Sequence, residues 1–379
     1  MLTKLFIFLS FQLLVFGGCL FPQNDYYYQK KVDGIYNYNY KNNIKTILFY
    51  CSGNKTSQPE LELNSSDKLI LSFDDIDADI KTYNYSITYC DPYWNPIEVP
   101  QFFYLEGINN GYITNYQMSF NTLTKYTHYE IQIPNDELKI KLSGNYIINV
   151  YQDGDINNIV FSRRFIVWEN IVEINGQIKQ AINTELMEKA HQLDFYINTG
   201  SFKINNPYTD IKIIAKQNGR WDNVLTDFKI NNINNKIIKF TPNNISDNNY
   251  FLAGNEYRYL DIRDILSNNE NVSNKYINEN QYYINLLPDN LRYNQPYSST
   301  YDINGEKLIL RKNSFYPDLE EEYINVTFTL NTQQPYKNGN IYVFGSISDW
   351  DYKEYNKMKY DSNKKCYTIT MLLKQGYYN

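Results

Sequence analysis

Gly144-Asn145-Tyr146-Ile147-Ile148-Asn149-Val150-Tyr151, then Gln152-Asp153-Gly154-Asp155-Ile156-Asn157-Asn158, then Ile159-Val160-Phe161-Ser162-Arg163-Arg164-Phe165-Ile166-Val167: this stretch decides the fold class. Two strand-length runs rich in β-branched and aromatic residues flank a polar segment carrying Asp-Gly-Asp, the pattern of an antiparallel hairpin. Upstream lie further alternating runs: Leu69 to Phe73, Tyr83 to Tyr89, Tyr112 to Phe120 and Tyr129 to Ile133. Each is bounded by Asp, Asn, Gly or Pro clusters, so residues 45–169 read as an antiparallel sandwich.

Residues 170–287 form a second, mostly β block, with strands expected at Leu193 to Ile197, Ile211 to Lys216, Ile237 to Phe240 and Tyr282 to Leu287. Its one helical hint is Thr184 to Leu193. Residues 288–322 read as a polar connector. The last block, 323–379, has expected strands at Ile324 to Leu330, Ile341 to Phe344 and Tyr367 to Leu373. The expected architecture is all-β, with tandem immunoglobulin-like antiparallel sandwiches. Lys374 to Asn379 reads as a turn feeding a strand that does not follow, so a truncated last sandwich with an unpaired edge is expected.

Composition narrows the function. The chain has 36 Lys+Arg against 42 Asp+Glu, a net charge of -6. Such a balance lacks the basic excess that phosphate backbones demand, which argues against nucleic acid. The 39 Tyr and 20 Phe favour strands, part of which reflects codon bias toward Asn, Ile, Lys, Tyr and Phe. Residues 1–18 read as an export signal, with Lys4 preceding an apolar run from Leu5 to Phe16. No later stretch approaches the roughly 20 apolar residues of a membrane span, so the exported chain is expected to be periplasmic. Cys19, directly after Gly17-Gly18, is a lipidation candidate, although Phe16 stands where a lipoprotein signal more often has Leu. Cys51 and Cys90 are expected as thiols, their pairing left open because sequence cannot place them within bridging distance.

Catalytic chemistry has little to draw on. His128 and His191 fall in different blocks, and no nucleophile elbow or phosphate-binding glycine loop occurs, so no catalytic residue and no cofactor is assigned. Asp74-Asp75-Ile76-Asp77-Ala78-Asp79 reads as a solvated turn, with calcium binding through Asp75, Asp77 and Asp79 as the weaker alternative. Asp74 and Asp75 also count among candidate partner contacts. So do Tyr93 and Trp94, in Cys90-Asp91-Pro92-Tyr93-Trp94-Asn95-Pro96, an aromatic corner that either covers the core or faces a partner. Six Asn-x-Ser/Thr sequons are ascribed to chance in so asparagine-rich a chain.

The segments Leu71-Ser72-Phe73-Asp74-Asp75-Ile76-Asp77-Ala78-Asp79, Tyr85-Ser86-Ile87-Thr88-Tyr89-Cys90-Asp91, Tyr116-Gln117-Met118-Ser119-Phe120-Asn121-Thr122-Leu123, Tyr126-Thr127-His128-Tyr129, Leu142-Ser143-Gly144-Asn145-Tyr146, Val150-Tyr151-Gln152-Asp153-Gly154-Asp155 and Arg163-Arg164-Phe165 come in the order and approximate spacing of a known family. The chain resembles the plug proteins of the type IX secretion system over this first domain. The later Phe344-Gly345-Ser346-Ile347-Ser348-Asp349-Trp350 and Leu372-Leu373-Lys374-Gln375-Gly376-Tyr377-Tyr378 resemble the family's C-terminal part, and the middle block matches loosely. The resemblance implies a non-enzymatic periplasmic protein that docks at the inner mouth of a giant outer-membrane translocon β-barrel and seals it. The last block is also similar to early-set sandwich modules that bind α-glucans, which makes carbohydrate binding or envelope adhesion the competing reading, with Trp350 as its residue.

Overall fold

In the first domain, alternation becomes two facing sheets. The computed structural model describes residues 37–379 apart from 243, 245–246, 248, 293–294, 297–298 and 300–301; the expected export signal and Cys19 lie outside the described residues. One sheet carries Ile44–Cys51, Leu69–Asp75, Thr127–Ile133 and Asn115–Met118 in that order, all antiparallel. The facing sheet runs Tyr38–Asn39, Ile159–Trp168, Gly144–Gln152, Tyr83–Cys90, Gly111–Tyr112. Glu60–Glu62 lies parallel to the end of Ile159–Trp168.

The expected hairpin is present, with Gly144 opposite Val167 and a register shift between Val150 and Tyr151, at the last residue pair before the loop. The single strand expected over Tyr112 to Phe120 is two. Gly111–Tyr112 pairs in one sheet and Asn115–Met118 in the other, with buried Ile113 at the crossing. Strand periodicity carries no mark of such a sheet change. Between the sheets Phe73 lies against Tyr83, Tyr129 and Phe161 at ring separations of 5.1, 5.2 and 5.0 Å. Aromatic pairs of this geometry add about 0.5–1.5 kcal/mol each beyond area burial.

The middle block is a single sheet rather than a sandwich. Ala190–Asn198 is flanked by Glu173–Gln180 and Ile237–Phe240, with Asn232–Asn234 beyond and Tyr250–Leu252 on its first residues. Phe195, Ile197, Ile238 and Phe240 form its core, covered by Ile204, Ile211, Ile213, Phe228 and Ile230 from loops. The helix expected over Thr184 to Leu193 is absent; turns lead into a strand that begins at Ala190. The expected strand Ile211 to Lys216 is loop, with an isolated Ala215–Leu225 bridge as its one ladder pairing among the described residues. Its alternation serves to cover the sheet rather than to extend it.

The last block pairs Val272–Asn278, Gln281–Leu286, Tyr323–Asn331, Cys366–Lys374 and Lys359–Asp361 in one sheet. The strand read at Tyr282 to Leu287 therefore lies in this sheet, parallel to Tyr323–Asn331. Ile341 to Phe344 is not a strand; only Tyr342 bridges, to Lys357. A second, small sheet places Gly376–Tyr378 between Leu260–Asp261 and Lys307–Ile309. The unpaired edge expected near Asn379 is thus corrected: both partner strands come from earlier parts of the sequence, one of them from the supposed connector.

The first and last blocks share a core. Leu48 and Tyr50 of Ile44–Cys51 pack with Ile262, Ile324, Val326, Met371 and Leu373. The outer face of the first sheet is accordingly an internal surface of the molecule.

Candidate functional site

The acidic stretch departs most from its sequence reading. Asp74 and Asp75 belong to the Leu69–Asp75 strand and are buried, not solvated. Asp74 Oδ1 lies 2.6 Å from His128 Nδ1, and its Oδ2 accepts from Tyr323 Oη and Lys374 Nζ, each at 2.7 Å. Lys374 is itself buried, donates to the Asp318 carbonyl at 3.0 Å and lies 4.2 Å from the Tyr126 ring centre. Burial would push the Asp74 carboxyl up, yet the Lys374 ammonium and His128 hold it below the ordinary carboxylate range. Beside it Glu322 accepts from the Leu123 and Thr124 amides, and Thr46 and Tyr323 share a hydroxyl contact of 2.6 Å. Asp74 is therefore committed to joining the first and last blocks. Its burial removes it, and equally Asp75, from the surface a partner could touch.

Asp75, Asp77 and Asp79 do converge, and their ligand oxygens lie within 4.8 Å of one another. The cation among them is Lys81, whose ammonium lies 2.7, 2.5 and 3.1 Å from the three carboxylates. Asp75 also accepts from Asn43 and Tyr83. The ammonium occupies the position a calcium ion would need. Lys81, two residues beyond Asp79, continues the alternate spacing of the carboxylates and is the signal that was missed.

The aromatic corner divides into two roles. Trp94 is 5% exposed and takes a positive φ of 70°, a backbone strain that a bulky residue bears only when its packing holds it. It meets Trp221 of the middle block edge-on at 5.1 Å, and the Arg164 guanidinium lies 5.1 Å from one ring and 4.4 Å from the other. Trp94 is a staple between blocks, not a partner contact. Tyr93 points outward at 65% exposure. On the same loop Ile97, Phe102 and Phe103 are exposed, the two phenyl rings 4.3 Å apart. This loop brings four exposed apolar side chains within eleven residues of sequence, a feature that marks interaction surfaces when contiguous.

Trp350 is half-buried. Arg220 of the middle block stacks over it at 4.3 Å, and Phe344 and Tyr257 close its edges at 5.4 and 5.8 Å. The face under Arg220 is spent on protein rather than offered to a sugar. Close by, a cleft of about 240 Å³ is lined by Arg163, Trp221, Glu306, Lys307, Asp349 and Trp350. Arg163 pairs with Asp349 at 3.2 Å, with Lys307 at 3.5 Å on the other side. A larger apolar cavity of about 660 Å³ lies in the middle block between its sheet and residues 202–215. The three described cysteines are free thiols, Cys51 and Cys90 lying in different sheets. No described helix is long and apolar enough to cross a membrane.

Residues 44–169 match the family described as type 9 secretion system plug protein, first domain. A crystal structure of a hypothetical protein from Parabacteroides merdae superposes with a TM-score of 0.85 at 30% identity, over 91% of this chain and 86% of that one. A Pseudomonas fluorescens alkylpurine DNA glycosylase bound to DNA aligns at 9% identity and TM-score 0.16, over 33% of this chain and 29% of that one, too poorly to share a fold. No curated protein matches.

Proposed function

The chain belongs to the type 9 secretion system plug family, and from that premise we propose that it binds the periplasmic opening of the outer-membrane translocon barrel and occludes it. The role is structural, with no catalytic step. The observation that carries this reading is the fusion of first and last blocks through a shared core and the buried Asp74–Lys374 pair. A very wide barrel has an aqueous lumen that its own side chains cannot fill, so only a body that holds its shape can close it. We assign the docking contact to the exposed tip formed by Tyr93, Ile97, Phe102 and Phe103. Aromatic anchors of this kind carry most of the energy of an interface.

Two measurements test the proposal together. The barrel should co-purify with the wild-type chain and not with Phe102→Ser/Phe103→Ser, while a strain lacking the gene should admit large antibiotics. Normal impermeability in that strain would remove occlusion as the function.

A further inference from the structure

Glu173–Gln180 ends the middle sheet. Ala190–Asn198 pairs with one side of it, and among the described residues no strand pairs with the other. All its residues except Asn175 are exposed. Such an edge presents a row of backbone N–H and C=O groups left to water unless another strand pairs with them. Proteins ordinarily blunt an edge of this length with proline, a bulge or free lysines. Here the register with Ala190–Asn198 is unbroken over eight residue pairs, the run contains no proline, and its one lysine, Lys179, is tied to Asp194 at 2.8 Å.

The residues of the edge also specify what would cover it. Ile174, Gly176 and Ile178 stand opposite Ile197, Phe195 and Leu193, on the face that walls the apolar cavity, and Ile174 and Ile178 are 65% and 59% exposed. Turned about a twofold axis through Gly176, the strand matches itself. Ile174 then faces Ile178 of a second copy, Asn175 faces Gln177, and Glu173 faces Lys179. Sliding the pairing by two residues in either direction breaks both isoleucine pairs and both charge pairs at once. One register therefore gathers all the favourable cross-strand contacts, and it is the symmetric one.

We propose that the chain forms a twofold dimer by antiparallel pairing of Glu173–Gln180 with the same strand of a second copy, centred on Gly176. The middle sheets become continuous, and the apolar faces join across the axis. This interface lies on a different block from the tip assigned to the barrel, so the two proposals fail independently.

Sedimentation velocity on the purified full-length protein, over the widest concentration range it tolerates, should show a monomer–dimer equilibrium. Ile174→Lys/Ile178→Lys sets like charges opposite one another in both symmetry-related pairs and should raise the dissociation constant by about tenfold or more. Ile174→Glu/Ile178→Lys sets opposite charges in those same pairs and should restore the dimer. Both positions are exposed, and an unchanged thermal melt verifies the fold of each variant. A wild-type monomer at every concentration would overturn the proposal and give the edge to a different occupant. A dimer indifferent to the two lysines, or weakened equally by both variants, would overturn it as well.

Discussion

Replacing Lys374 with Met tests whether the first and last blocks are one folding unit. The substitution keeps the length and apolar stem of the side chain and deletes the ammonium. Lys374 and Asp74 each have 1% side-chain exposure and meet at 2.7 Å. Lys374→Met leaves the Asp74 carboxylate with only His128 and Tyr323 for support and the Asp318 carbonyl with only the Tyr126 hydroxyl. Breaking a buried pair from one side costs about 3–5 kcal/mol, because the remaining charge keeps its desolvation penalty. The second half of the cycle is Asp74→Asn/Lys374→Met, which removes both charges. It should recover part of that loss, with a coupling of about 0.5–3 kcal/mol. Urea unfolding followed by tryptophan fluorescence and by far-ultraviolet circular dichroism supplies the free energies. Both signals should shift together. A loss below about 1 kcal/mol, or a shift confined to one of two separate transitions, would refute the single-unit argument.

Trp94→Ala should lower stability by about 3–5 kcal/mol, as expected of a buried tryptophan, whereas Tyr93→Ala should leave the melt unchanged; equal effects would erase the division of the corner. Acid should destabilise the protein. The buried Asp74 and Asp75 carboxyls and the half-buried Asp349, beside Lys307 and Arg163, are all held low in the fold, so the unfolded chain takes up protons first. Their contribution is present above the unfolded carboxyl pKa of about 4 and is lost as pH falls through the folded values; a stability that rose on acidification would contradict this. Calcium should not shift the melting temperature while Lys81 stands among Asp75, Asp77 and Asp79, and a calcium-dependent rise in the wild type would show the ammonium to be displaceable. Residues 44–169 alone should melt cooperatively, since their sandwich core is closed, but at lower temperature than the full chain because Leu48, Tyr50 and Asp74 become exposed; a broad melt would show that this core needs the last block.

The fold class was legible because strand alternation and turn chemistry are local. The hairpin from Gly144 to Val167 could be read directly from spacing and composition. What alternation cannot carry is the address of a strand. Gln281–Leu286 has the same pattern whether it continues the middle sheet or joins Tyr323–Asn331, and the structure takes the second course. Lys374 was placed in a turn because its partner is 300 positions away in sequence, at Asp74. The same distance hid the meaning of the acidic run: a charged segment reads as solvated unless its counter-charges are in view. Trp94 was recognised as either structural or exposed, and the choice depended on Trp221, in a block whose strands the sequence marks poorly.

Under the proposed function, the arrangement bears on how the chain would hold its partner and still let go. Binding that must order a flexible body is weakened by the entropy of ordering, so a loosely jointed string of sandwiches would spend contact energy on itself. Here the first and last blocks are joined before any partner arrives, by the Leu48 and Tyr50 packing and the Asp74 network, and Trp94, Arg164 and Trp221 fasten the middle block to the first. The free energy of that joining belongs to folding and is unaffected by release. A small aromatic tip can then supply affinity through a few anchors while the polar remainder of the surface stays hydrated, so closure depends on the shape of the whole body and opening on the loss of a limited contact. Under that division, substitutions at Phe102 and Phe103 should change residence on the barrel without changing the melt, and substitutions at Asp74 or Lys374 should change the melt first and residence only as its consequence.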